Sequence, residues 1–235
     1  LPKGQIAHGK LLQALIYGAK VVAVKGNFDD ALGVVRELGE CKDFAVVNSI
    51  NPDRTEGQKT AAFEVVDDLG DAPHFHLLPV GNAGNIPAYW RGYRVYRDLG
   101  WSTRLPQMIG FQAAGAAPVV HDKIIEQPET VATAIRIGNP ANWVGAKTAI
   151  AESRGAIFTV TDEEILGAQS WLASKEGIFV EPSSAASIAG LLKYAEAQPA
   201  AAKPFRDFPE GTRIVLDLEG HRLEAAALPF GTPKT

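Results

Sequence analysis

Apolar positions along this chain switch repeatedly between helical spacing and short continuous runs. Leu11, Leu12, Leu15 and Ile16 share one stripe of a helix predicted over 9–18, and the run Val21, Val22, Ala23, Val24 behind it reads as a buried strand. Residues 28–38 return to helical spacing, with Asp29 and Asp30 in the first turn, where carboxylates suit the positive end of a helix dipole. Residues 44–47 are again short, apolar and β-branched, as strands are. The polar stretch 48–54 carries Pro52 and breaks the rhythm, which places a domain crossover near it.

Beyond the crossover the same alternation resumes. A helix is predicted over 56–69, a strand over 74–80, a helix over 85–99 and a strand over 108–111. Thr161 and Glu164 have the spacing of a capping box, opening a helix that should run to about Lys175. Residues 183–190 begin another helix, rich in small side chains that allow close approach, and residues 213–218 form a last strand after an Ala/Pro-rich surface connection over 198–209. Helix and strand in alternation are the signature of an α/β domain built on a parallel sheet.

Composition narrows the partners. With 235 residues, 46% of them hydrophobic, the chain can bury a sizeable core. A net charge of -4 leaves no basic excess for a phosphate backbone, so nucleic acid is not an expected partner. No run approaches the ~18 apolar residues that span a bilayer, and the start lacks the apolar centre of a signal peptide, so a soluble protein with no membrane partner is expected. The single cysteine, Cys41, excludes an internal disulfide framework. The first residue is not Met, as in a fragment or a processed chain.

The sharpest local feature is the run Pro79, Val80, Gly81, Asn82, Ala83, Gly84, Asn85, a glycine-rich turn between a buried strand and a helix start. Backbone N–H groups point outward unpaired at such a place, and the helix dipole favours an anion there. It is neither the dinucleotide nor the P-loop pattern, and either an anion site or a plain tight turn satisfies the residues alone. At the crossover, Asn48, Ser49 and Arg54 offer an amide, a hydroxyl and a guanidinium suited to a second oxyanion; equally, Asp53 could cap a helix and Arg54 could be solvated. His74 and His76 alternate on one strand face without a thiol or carboxylate partner, a poor metal site. No nucleophile elbow is present, and Cys41 has no helper beside it.

Taken together and in order, these motifs resemble threonine synthase, a fold-type II pyridoxal-phosphate enzyme. The stretches that carry the resemblance include 26–32, 48–54, 56–60, 78–85, 110–118, 130–139 and Glu181, Pro182, Ser183, Ser184, Ala185, Ala186, spread over residues 9 to 192. The chain is similar to the C-terminal two thirds of such an enzyme. The resemblance implies an α/β fold in which residues 1–50 end a smaller αβ domain and residues 51–235 form a three-layer αβα domain on a parallel sheet. It implies pyridoxal 5'-phosphate as cofactor, its phosphate on Gly81, Asn82, Ala83, Gly84 and Asn85, and O-phospho-L-homoserine as substrate, its phosphate near Asn48, Ser49 and Arg54. The implied reaction converts that substrate and water to L-threonine and phosphate in a cytoplasmic homodimer.

Two departures accompany the resemblance. The Schiff-base lysine of the family stands upstream of everything seen here, so no residue of this chain is a catalytic candidate and the chain alone is expected to be inactive. The tail reads Glu219, Gly220, His221, Arg222 where the family carries a hydroxyl in place of Glu219. A carboxylate there would favour a protonated cofactor ring, or it points to solvent in a diverged tail. Two other readings stay open: a non-catalytic descendant that keeps the phosphate loop as a ligand-binding module, and a related ammonia-lyase or β-replacing enzyme that has no need of Asn48, Ser49 and Arg54.

Overall fold

A computed structural model describes residues 8–26, 28–41, 43–48, 51–197, 208 and 210–220. In chain order the elements are α1 (His8–Ile16), α2 (Phe28–Gly39), α3 (Pro52–Gln58), α4 (Thr60–Leu69), β1 (Phe75–Pro79), α5 (Asn85–Asp98), β2 (Gln107–Ala113), α6 (Pro118–His121), α7 (Trp143–Ser153), β3 (Ala156–Val160), α8 (Asp162–Glu176), α9 (Pro182–Ala197) and β4 (Ile214–Leu216). The four strands form one parallel sheet in the order β3-β2-β1-β4, with Phe75 of β1 level with Gln107 on one side and Ile214 on the other.

Because successive side chains of a strand point to opposite faces, the two cores separate residue by residue. Leu77, Ile109 and Phe111 face one way and pack with Ile165 and Leu172 of α8 and Ala185, Ile188 and Ala189 of α9. Leu78, Val80 and Met108 face the other way, against Ala62 and Val66 of α4, Trp90 and Tyr93 of α5, and Ala146 and Ala149 of α7. This gives the three-layer αβα arrangement expected. Small side chains on α9 let it lie close: a Cβ on Gly190 would stand 2.0 Å from Cε1 of Phe111.

Most local expectations match. The capping box forms as read, with Thr161 Oγ1 accepting from Glu164 N at 3.2 Å and Glu164 Oε2 accepting from Thr161 N at 2.8 Å. The helix expected over 56–69 is instead two, α3 and α4, divided at Lys59, and the cap of α3 is Asn51 rather than Asp53. Its Oδ1 accepts from Asp53 N at 2.7 Å and Arg54 N at 3.3 Å, with Pro52 in the first helical turn.

The strands expected over 21–24 and 44–47 are not formed. Only Val24 makes an isolated bridge, and Val22, Phe44 and Val47 are 68%, 56% and 80% exposed. An apolar run becomes a strand only when a neighbour pairs with it, and among the described residues no strand lies alongside either run. Strand β3 and helix α7, by contrast, carry no mark in the sequence reading. The connection expected over 198–209 lies outside the described residues apart from Phe208, whose ring meets Phe75 edge-on at 5.4 Å.

Candidate functional site

From β1 the chain steps to β2 and β3 on one side, then returns to place β4 on the other side of β1. Loops leaving the carboxyl ends of β1 and β4 therefore diverge, and a crevice opens at this reversal of strand order, where ligands bind in open α/β sheets. The cleft found there encloses about 170 Å³ and is lined by the loop after β1, by Ala134 and Ile135, by the start of α9 and by Glu219 after β4. At ~30 Å³ per water it has room for a phosphate-sized group and part of a larger ligand.

The loop after β1 presents a row of backbone donors to the cleft. The backbone N–H groups of Gly81, Asn82, Ala83, Gly84 and Asn85 meet no acceptor among the described residues, and α5 starts from Gly84 with no side-chain cap. Its left-handed residue is Ala83, at φ 60, not a glycine. The glycines supply closeness instead: a Cβ on Gly81 would stand 2.9 Å from both Ala134 O and Ile135 Cα, and one on Gly84 would stand 3.3 Å from Asn142 Nδ2. Asn82 braces the turn, its Oδ1 accepting from Ala141 N at 2.7 Å and its backbone O from Asn142 N at 3.2 Å. Its side-chain nitrogen is buried without an acceptor. A buried donor left unpaired is costly, and an oxyanion in the cleft would satisfy it.

Glu219 closes the opposite wall. It keeps contact with solvent, yet its Oε1 accepts from Asn85 Nδ2 at 3.3 Å and from the Tyr89 hydroxyl at 3.2 Å, so it turns into the cleft. The carbonyl of Pro79 accepts from the same Asn85 amide at 2.8 Å. Two residues before Glu219, burial pushes Asp217 up to about 8; the charge of Glu219 and a hydrogen bond to it act in the same direction, and a hydrogen bond to Tyr89 opposes them. Burial, then the charges of Asp217 and Glu219, likewise hold the Tyr89 hydroxyl well above its ordinary range. Ser184 Oγ accepts from Gly220 N at 2.7 Å, and Ser187 Oγ donates to Asp217 O at 3.1 Å, so the start of α9 anchors the segment carrying both carboxyls.

The proposed cofactor residues Gly81, Asn82, Ala83, Gly84, Asn85 and Glu219 thus converge on one cleft. Arg54 also lines it, together with Gln58 from the same helix. Asn48 is half-buried before the start of α3, its carbonyl accepting from Asn51 N at 3.0 Å. Ser49 lies outside the described residues. Sequence reasoning did not assign Ala134, Glu181, Ser183 or Tyr89 to the site. The quoted run from Glu181 to Ala186 was the available signal for two of them.

His74 and His76 are structural. His74 Nδ1 accepts from Arg213 N at 3.0 Å, while His76 is buried with Nδ1 2.8 Å from the Tyr93 hydroxyl and is pushed down to about 4 by burial. Among the described residues no group of His, Cys, Asp and Glu could hold a metal ion, Cys41 is exposed, and no helix is long and apolar enough to cross a membrane.

The fold is a parallel α/β sheet with a cleft at its switch point, and the chain belongs to the family of pyridoxal-phosphate dependent enzymes, whose sequence model matches residues 1–204. Its curated relatives are more particular. The threonine synthase of Synechocystis sp. is 60% identical over 202 residues, covering 86% of this chain and 53% of that protein. That of Halalkalibacterium halodurans is 54% identical over 224 residues, covering 95% and 61%, and that of Mycobacterium leprae 58% over 196 residues, covering 82% and 54%. The chain therefore spans between half and two thirds of the length of these relatives.

Solved structures of similar fold include maize serine racemase, with a TM-score of 0.73 at 18% identity over 93% of this chain and 64% of that one. The processed threonine deaminase isoform 2 of Solanum lycopersicum gives 0.72 at 21% identity over 97% and 58%. At such identity they establish the fold, that of the fold-type II enzymes.

Proposed function

We propose that this chain is the phosphate-holding part of a threonine synthase, which converts O-phospho-L-homoserine and water to L-threonine and phosphate. The observation that carries the reading is 60% identity to a threonine synthase over 202 residues, 86% of this chain. The cleft supports it independently. Five N–H groups without an acceptor among the described residues and the buried Asn82 amide suit the phosphate of pyridoxal phosphate, and Glu219 offers an acceptor on the other wall.

Pyridoxal phosphate, when bound, supplies an electron sink for charge developing beside the substrate's α carbon. The chain's own contribution is positional. Residues 81–85 would hold the cofactor phosphate, the helix start of α5 would add its dipole, and Glu219 would offer an acceptor to the bound cofactor. Arg54, on the rim, and Asn48 and Ser49 before it receive the substrate phosphate. No lysine lines the cleft among the described residues, so the proton transfers fall to groups beyond this set.

Residues 1–50 belong to the end of a smaller domain and the working enzyme is a cytoplasmic homodimer. Exposed Leu12 and Ile16, one helical turn apart on α1, support a covered surface there, since apolar exposure on one face marks an interaction site. A related lyase acting on an unphosphorylated substrate draws only on the fold, because the structural neighbours of that kind share 21–22% identity against 54–60% for the threonine synthases.

The test is phosphate release from O-phospho-L-homoserine by the protein encoded by the whole gene, with pyridoxal phosphate supplied. Release with L-threonine formed is expected. A protein that binds pyridoxal phosphate but releases no phosphate would move the reading to the related lyase, and one that binds none would leave a non-catalytic module.

A further inference from the structure

Beside Glu219 on the cleft wall stands a second carboxyl, Asp217, whose Oδ2 is buried without a hydrogen-bond partner. Asp217 and Glu219 stand two residues apart after β4, close enough for the charge of Glu219 to act on Asp217, and the Tyr89 hydroxyl of α5 donates to Glu219. Hydrogen counting shows the difficulty. Ionised carboxylates only accept, and the single phenolic proton of Tyr89 is given to Glu219 Oε1 at 3.2 Å. Glu219 also receives Asn85 Nδ2, whereas Asp217 Oδ2 is buried with no partner able to donate to it. Two carboxylates in contact cannot both ionise at low cost.

We propose that Asp217 is a positioning residue that carries a proton at Oδ2 and donates it to Glu219, so that the pair bears one negative charge, held on Glu219 and facing the cleft. The proton converts the orphaned oxygen into a donor and removes the repulsion between the two groups. Glu219, with donors from Asn85 and Tyr89 as well, is the member equipped to keep the charge.

The hydrogen bonds and ion pairs among the described residues give neither carboxyl a cationic partner. From α5 come Asn85, Tyr89 and Tyr93, with Tyr93 raised by burial and then by Asp217. From β1 comes His76, stacked on Tyr89 at 5.4 Å between ring centres and kept neutral by burial. From α9 comes Ser187, which reaches only the Asp217 carbonyl, and just before it Glu181, a further carboxyl packed where a Cβ of Gly220 would stand 2.4 Å from its Cγ. Arg54 lines the same cleft across from them. Asp217 rises from an ordinary 3.8 to about 8, in line with the geometry.

The consequence for the cleft rests on the function proposed above. A single negative charge on Glu219, steadied by the Asp217 proton, is an acceptor for a protonated ring nitrogen, whereas a doubly ionised pair would be a strong and pH-dependent base. Asp217 thus sets how much charge the cofactor side of the cleft meets.

The test needs no ligand. In the unmodified protein with ¹³C-labelled aspartate, the Asp217 carboxyl carbon, assigned through its backbone, is expected to titrate far above the ordinary aspartate range, with a midpoint near 8. Its folded affinity for the proton exceeds the unfolded one, so stability to urea should be full below pH ~4 and fall as pH rises towards 8. Asp217→Asn keeps a donor to Glu219 and should lose that slope, and Glu219→Gln should bring the Asp217 midpoint down. Titration of Asp217 in the ordinary carboxylate range overturns the proposal, as does a parallel pH slope in Asp217→Asn. A pyridoxal phosphate titration of the same protein separates the two ideas: no binding with a high Asp217 midpoint removes the cofactor reading and leaves the shared proton.

Discussion

Replacing Gly81 by alanine tests whether the loop after β1 is set by closeness. The new Cβ would stand 2.9 Å from Ala134 O, 2.9 Å from Ile135 Cα and 3.3 Å from Ile135 Cγ2. Two of these are backbone atoms that cannot rotate away, so either the loop or the 133–135 turn must shift by several tenths of an ångström. Overpacking of this kind costs about 1–3 kcal/mol of stability. The same displacement carries the N–H groups of Asn82 and Ala83 off their ligand. Loss of one hydrogen bond to a charged phosphate, about 1.5–3 kcal/mol, weakens binding roughly tenfold or more.

Gly167 is the control. It lies within α8, exposed, with nothing within 4 Å of its Cβ position, so alanine there should stabilise by about 0.5–1 kcal/mol. Urea denaturation and pyridoxal phosphate titration of both variants read the two effects. A Gly81→Ala protein with unchanged stability and affinity would refute the steric reasoning, since the same chemical change must then be harmless in a place where the structure leaves no room.

Other perturbations have signs worked from the structure. Gly190→Ala places a Cβ 2.0 Å from the Phe111 ring, whose neighbours Phe158 and Tyr194 crowd it, and should cost about 1–3 kcal/mol in urea. Thr161→Ala removes the cap of α8 and should cost ~1 kcal/mol, seen as a lowered Tm. Burial works against ionisation of Asp71, but hydrogen bonds from Thr103, Ser102 and Ala72 overrule it and hold the carboxyl well below its ordinary 3.8. That stabilisation is present above pH ~4 and is lost as acid protonates the group, so wild type and Asp71→Asn should differ at pH 7 and converge below pH 4 in urea titrations.

What the sequence determined by itself is local. Hydrophobic period gave α2, β1, α5 and β2 within a residue or two at most ends, the Thr161 and Glu164 spacing gave a capping box, and the run from Pro79 to Asn85 announced a strand, a tight turn and a helix start. Each of these depends on neighbours within one or two helical turns. The break at Lys59 and the choice of Asn51 over Asp53 as cap lay at the edge of that reach, because several adjacent polar residues can satisfy the same N–H groups.

The tertiary structure decided what pairing and return of the chain decide. Residues 21–24 and 44–47 have strand composition and no strand beside them, while 156–160 form β3 because β2 offers an open edge. Sequence could nominate Glu219 but could not choose between solvent and cleft. Only the placement of β4 next to β1 brings Glu219 to Asn85 and Tyr89, across sequence separations of 134 and 130 residues, and leaves Asp217 Oδ2 buried. The polar residues of the site answer to groups far away along the chain, and no local period records them.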